Sequence, residues 1–296
     1  MQKLTVFAMT EKGYAVIQSL LSHYPGIVAA VISSRDKGIA KDYFEEISEL
    51  CRNHNIDFHE KGEVYSIRTD YVLAVAWRWL IDVGSARLMV LHDSLLPRYL
   101  GFNLLVTALI KGDTKIGATA LYGAAQYDRG GIIAQSSSRI AYPIRIREAI
   151  KVVIGNYQEL AVTIGEFLSR DQVPTAKPQD LAHASYSLWR DEEDYFVDWS
   201  HPAEKVKRTI DALGDPYKGA AARLDGRIVR ILDAEVIEDL RIENRTAGKV
   251  IFLQDARPVV VCGEGLLKIT DLVDDEIGTS LLPLSRFRIR FKGRPE

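Results

Sequence analysis

The chain is predicted to be an α/β protein, with a mostly parallel twisted sheet followed by a smaller β-rich domain. Three observations lead there. Over residues 3–168 short apolar runs alternate with segments of helical period, the pattern of strands joined by helices. Two of the runs, Tyr71–Ala76 and Leu88–Leu91, are continuously apolar, as strands buried on both faces must be. From about Gly219 the pattern changes to short β-like runs between Asp-Gly, Asn and Gly-Glu-Gly turns, the mark of a small antiparallel barrel.

The elements follow in order. Residues 3–8 read as a buried strand, and Tyr14, Ile17, Leu20 and Leu21 recur at helical spacing after it. A strand at Ile27–Ser33 and a helix over about Lys41–Asn53 come next, then the runs at Tyr71–Ala76 and Leu88–Leu91. The last run delivers His92 to the carboxyl end of a strand, where sheets of this type bind ligands. A helix over Arg145–Leu168 carries one apolar stripe through Ile150, Val153, Tyr157, Leu160 and Ile164. Ser169–Ala184, with Pro174 and Pro178, reads as an extended linker, which divides the chain into domains at 1–185 and 186–296. Ser200-His201-Pro202 reads as a helix start with Ser200 as cap, and that helix ends near Gly214. Arg286, Arg288, Arg290 and Lys292 alternate with apolar residues, which places four cations on one face of a strand. Protection of an edge strand is the preferred reading, contact with a substrate phosphate or RNA the other.

Composition narrows the function. Hydrophobic residues make up 47% and charged residues 26% of 296, the balance of a globular protein with a sizeable core. No apolar run is long enough for a membrane span, and no leader pattern opens the chain, so a cytoplasmic protein is expected. The two cysteines, Cys51 and Cys262, form no Cys-x-x-Cys pair, so neither a metal nor a disulfide framework is expected. Residues 186–296 hold 18 Lys and Arg against 21 Asp and Glu, a net of −3, which counts against nucleic acid as a partner. The turn Met9–Gly13 lacks a Gly-x-Gly-x-x-Gly loop and no Walker motif occurs, so dehydrogenase and kinase readings have little support.

The most informative stretch is Val90–Gly101, in which a strand ends on His92 and turns into Ser94-Leu95-Leu96-Pro97. Gln126–Ile133 follows, with Asp128 placed 36 residues after His92. Ser94–Pro97, Gly101, Asp128, Gly112-Asp113 and Gly117-x-Thr119 together resemble the folate-dependent formyltransferase family. Asp198-Trp199-Ser200 and the β-rich tail resemble its C-terminal domain, more weakly. The resemblance implies a Rossmann-like formyltransferase sheet with an OB-like barrel behind it. It also implies 10-formyltetrahydrofolate as formyl donor and a primary amine as acceptor. Attack of the amine on the formyl carbon makes an oxyanion and requires proton transfers, work suited to an imidazole steadied by a carboxylate. By resemblance these are His92 and Asp128. Ser94, Leu95, Leu96 and Pro97 would shape one wall of the folate site, and Tyr127 and Gly130 the other; Trp77 would either line it or pack in the core.

One departure stands out. The family's Asn two residues before the His is Val90 here, so an oxyanion donor is missing. Loss of such a donor costs about 2.7–4 kcal/mol of transition-state stabilisation. Asn103 is the candidate replacement, although its place before Leu104, Leu105, Ala108 and Leu109 also suits a helix cap. Asp93 reads as an ordinary loop carboxylate. The expected substrate is a nucleotide-linked amino sugar. The alternatives are the methionyl-tRNA activity and a folate- or sugar-nucleotide-binding relative that has lost catalysis. The glycinamide ribonucleotide branch ranks below them because its members usually lack a second domain. No membrane partner is expected, and the assembly state is open, a homodimer included.

Overall fold

A computed structural model describes residues 1–36 and 41–294 and divides the chain into two compact units. The first comprises Met1–Leu104, Lys115–Arg139 and Ile150–Ser187; the second comprises Leu105–Thr114, Ile140–Ala149 and Leu188–Glu296. In chain order the elements are β1 (Leu4–Ala8), α1 (Thr10–His23), β2 (Val28–Ser33), α2 (Phe44–Asn53), β3 (Asp57–Glu60), β4 (Tyr71–Val75) and β5 (Arg87–His92). Then come β6 (Leu100–Gly101), α3 (Leu104–Lys111), β7 (Lys115–Tyr122), β8 (Ile132–Arg139), α4 (Ile146–Ser169) and β9 (Tyr186–Ser187). The remainder is α5 (Ala203–Leu213), β10 (Ala220–Leu224), β11 (Arg227–Ile237), β12 (Val250–Gln254), β13 (Arg257–Val261) and β14 (Leu266–Asp274). No helix among the described residues is long and apolar enough to cross a membrane.

The first unit is built on a seven-stranded sheet in the order β3-β2-β1-β4-β5-β7-β8. The five strands from β3 to β5 run parallel, and β7 and β8 are antiparallel additions at the β5 side. Leu4, Val6 and Ala8 of β1 and all of β4 are buried, in keeping with apolar strands covered on both faces. Register sets Phe7, Ala74, Val90 and Leu121 side by side on one face, and His92 beside Thr119 two positions on. The odd neighbours of His92 face the other way. Tyr157 of α4 reaches the β5 end there, with its hydroxyl 3.1 Å from the Leu91 carbonyl. Ser169–Ala184 was expected to be a linker. Its chain is extended, yet it lies within the first unit and pairs with β8 through Ile132 and Lys177.

The second unit carries a five-stranded antiparallel sheet, β10-β11-β14-β13-β12, with α5 packed on β11 and its Val206, Ile210 and Leu213 buried. Pro202, not Ser200, occupies the N-cap of α5; Ser200 instead bonds Asp198, through Oγ at 2.6 Å. Gly214 is the C-cap, where the sequence places the helix end. The tail is not an edge strand. Residues 289–292 exchange backbone hydrogen bonds with Arg223 on β10 and with Gly248 and Val250 at the start of β12, so the sheet closes on itself. Ile289 and Phe291 point inward and are buried, Phe291 with its ring 5.8 Å from that of Trp199.

Candidate active site

His92 ends β5 and is only 7% exposed. Its Nδ1 lies 3.3 Å from Asp128 Oδ1, and its Nε2 lies 3.1 Å from the Tyr99 carbonyl oxygen. Both neighbours are acceptors, so the ring makes both contacts only when doubly protonated. The second carboxylate oxygen of Asp128 accepts the Gly101 backbone N–H at 3.0 Å. One carboxylate therefore holds the imidazole and the loop that wraps it.

The loop chain is set by close approaches that only glycine permits. Gly101 has φ +103°, and a Cβ there would lie 2.5 Å from the Ser187 carbonyl oxygen. At Gly130 a Cβ would lie 1.7 Å from the Tyr122 carbonyl oxygen. Tyr99, Asn103 and Asp128 take left-handed φ values of 58°, 50° and 58°, a strain that costs on the order of 1 kcal/mol each and collects here.

Thr119 of β7 is fully buried and pins the Ser94–Pro97 loop. Its hydroxyl donates to the Ser94 carbonyl at 2.6 Å and accepts from the Leu96 N–H at 3.1 Å and from Gln135 Nε2 at 2.9 Å. Gln135 also donates to the Leu96 carbonyl at 2.8 Å. The polar backbone of this loop is thus used to fix its own shape. Leu96 packs with Leu100 and Leu121 in an apolar cluster, against which Val90 also lies, so Leu96 is core and Val90 occupies an apolar setting. Ser94 is buried with its hydroxyl donating to the Arg98 carbonyl at 2.8 Å; Leu95 and Pro97 are half-buried.

The supposed linker, Ser169–Ala184, and the three residues after it supply the rest of the frame, and they carried no signal beyond being polar around prolines. Gln179 donates to the carbonyls of Asp128 at 2.6 Å and Gly130 at 2.9 Å. Ser185 accepts the Tyr99 N–H at 3.0 Å, and β9 pairs with β6. Thr119 belongs to the Gly-x-Thr element noted in the sequence, which was the available signal for it.

On the far face of β5, Asp93 is no loop carboxylate. It forms an ion pair with Lys12 and accepts a hydrogen bond from Tyr157. Burial alone would raise the Asp93 carboxyl, but the Lys12 charge and hydrogen bond, the Tyr157 hydroxyl and the nearby His92 outweigh it, and its pKa is lowered. Burial and the Asp93 charge push the Tyr157 hydroxyl well up, which keeps it a donor.

Trp77 leaves the sheet one strand over from His92, at the carboxyl end of β4. It stands edge-on to Phe7 and Trp79 at 5.1 and 5.0 Å, and its indole N–H is buried without a partner among the described residues. An aromatic wall with an unused donor suits a flat heterocyclic ligand. Tyr127 is 78% exposed beside Asp128, so it rims the site rather than walling it. Asn103 is half-buried just before α3, two residues beyond the Gly101 N–H that Asp128 holds. Its left-handed φ differs from the extended backbone usual at an N-cap.

Residues 6–145 match the model of the formyl transferase family, and residues 190–276 match the formyl transferase C-terminal domain. Methionyl-tRNA formyltransferase of Streptococcus equi subsp. zooepidemicus is 26% identical over 287 residues, covering 91% of this chain and 90% of that protein. The N-formyltransferase of Helicobacter canadensis, solved with folinic acid and dTDP-3-aminofucose, superposes with a TM-score of 0.71 at 15% identity, over 91% of this chain and 98% of that one. HypX of Aquifex aeolicus superposes at 0.61 and 17% identity over 92% of this chain, which spans 44% of that longer protein. Two matched domains in their proper order, around a shared fold, establish that the chain belongs to the formyltransferase family.

Proposed function

We propose that the protein transfers a formyl group from 10-formyltetrahydrofolate to the primary amine of a nucleotide-linked amino sugar in the cytoplasm. The observation that carries the transfer reading is the His92–Asp128 pair, 3.3 Å apart, with Asp128 also gripping the Gly101 N–H. The folate donor supplies the reactive formyl carbon, and the Phe7–Trp77–Trp79 wall, with its spare indole donor, would seat the pterin. His92, held by Asp128, turns its Nε2, 3.1 Å from the Tyr99 carbonyl oxygen in the free protein, to the formyl oxygen and donates to it as charge develops there. Asn103 adds the amide donor that Val90 does not provide.

The sugar-nucleotide acceptor is supported by the rim. Phe102, Tyr127 and Tyr186 are 62%, 78% and 60% exposed, and Arg129 donates to the Tyr186 hydroxyl at 2.8 Å. Exposed rings beside a guanidinium match a planar base followed by phosphate. The Helicobacter canadensis enzyme, solved with such a sugar, has the same fold. A second reading, formylation of methionyl-tRNA, is favoured by the Streptococcus relative, which matches along nearly its whole length. The test offers purified protein 10-formyltetrahydrofolate with either a panel of nucleotide-linked amino sugars or aminoacylated initiator tRNA. Tetrahydrofolate release with a sugar supports the proposal. Turnover with tRNA alone replaces it by the second reading, and folate binding without turnover marks a relative that has lost catalysis.

A further inference from the structure

The tail that closes the barrel of the second unit carries its cations on the outward face. Arg288, Arg290 and Lys292 alternate with the inward Ile289 and Phe291. Pairing then does something unusual. Arg223 lies directly opposite Lys292, and Lys249 directly opposite Arg290. The Lys249–Arg290 pair is flanked by the bonds Val250 N–H to Ile289 O and Phe291 N–H to Gly248 O, the arrangement that brings facing side chains closest. Like charges placed directly opposite destabilise a sheet. Two such pairs in succession therefore cost the barrel stability and repel each other more strongly as salt is lowered.

These five cations line one cavity of about 610 Å³. Among the described residues its only carboxylate is Asp225, which already pairs with Arg286 at 2.5 Å. Among the described residues none of the five enters an ion pair, and the Arg223 Nε is buried without a hydrogen-bond partner. The feature is local, since residues 186–296 as a whole are net acidic at −3. An extended polyanion laid over this unit would meet that acidic remainder, whereas a short one fits inside the cavity.

We infer that this cavity is a binding site for a compact polyphosphate, two or three phosphates long, of the kind carried by a nucleoside di- or triphosphate. The phosphates lie between the two like-charged pairs, turn their repulsion into attraction, and accept charge-assisted hydrogen bonds from three guanidinium groups and two ammonium groups. The site lies wholly on residues of the second unit and does not depend on which amine the enzyme formylates.

The test titrates the full-length protein by calorimetry with pyrophosphate, tripolyphosphate, inorganic phosphate and a short single-stranded RNA at about 0.15 M salt. One tripolyphosphate or pyrophosphate per chain is expected, much tighter than inorganic phosphate or RNA. The double variant Lys249→Gln/Arg290→Gln should weaken binding about tenfold or more. Without ligand it should melt at or above the wild-type temperature, because a repulsive pair has gone and no bond is lost. Absence of polyphosphate binding, binding unchanged in the double variant, or RNA bound in preference to tripolyphosphate would overturn the inference. A double variant that melts below wild type sends the measurement to Arg288→Gln/Lys292→Gln, with the same outcomes.

Discussion

His92 sits between two oxygen acceptors, and that is what makes it chemically useful. A ring held on one side by Asp128 keeps its orientation while its other nitrogen, 3.1 Å from the Tyr99 carbonyl oxygen, stays available to a ligand. Replacing His92 by Ala should lower formyl transfer by about 10²–10⁴-fold with an unchanged circular dichroism spectrum; near wild-type rates would remove its role. Asn103 separates two effects. If it supplies the oxyanion donor, Asn103→Ala costs about 2.7–4 kcal/mol in kcat with little change in Tm. A mere cap would cost about 1 kcal/mol of stability and leave kcat alone. Asp93 makes a pH prediction. Its folded pKa is lowered, so its contribution to stability is present above the ordinary aspartate range and is lost as pH falls below it. Lys12→Met should therefore lower Tm strongly at pH 7 and progressively less in acid, as Asp93 takes up a proton and needs no counter-ion. A Tm loss independent of pH would mean that Lys12 acts through packing alone.

The site's loops owe their shape to elements distant in sequence. Thr119 on β7 and Gln179 beyond α4 are 23 and 51 residues from the groups they bond, Leu96 and Asp128. Thr119→Ala leaves the buried Ser94 carbonyl and Leu96 N–H without their partner, at about 1–3 kcal/mol. The loop should then lose definition, with KM for the folate rising more than the melting temperature falls; an unchanged KM would argue that the loop holds without it. Strands β1, β2 and β4 were legible as apolar runs because both faces are covered, and β5 because Leu88–Leu91 is apolar although Leu88 and Val90 are only half-buried. By contrast β3, β7 and β8 escaped detection. The sequence Asp57-Phe58-His59-Glu60 is edge-like and polar, and β8 ends in Ser136-Ser137-Ser138-Arg139, which offers no apolar period to read. Ser169–Ala184 misled for a related reason. Proline and polar residues mark an extended chain but not what it lies against.

The second unit depends on its tail. Residues 289–292 satisfy both β10 and the start of β12 and bury Ile289 and Phe291. A chain ending at residue 285 should lose about 1.5–3 kcal/mol for each of those side chains and expose two unpaired edges, so it should melt earlier and self-associate in sedimentation. A monomeric, equally stable truncation would contradict the closed barrel. The amino-acid order alone settled the α/β class, the place of His92 at a strand end, the pairing candidate Asp128 and the glycines of their loops. Each of these rests on local periodicity or on a motif whose spacing the chain carries with it. The tertiary structure decided that Val90 faces an apolar cluster, that Asp93 answers Lys12 and Tyr157, that the supposed linker clamps the site, and that the tail cations face other cations across a closed sheet. Those are contacts between distant segments, set by register and packing, and no local pattern encodes which partner a side chain will meet.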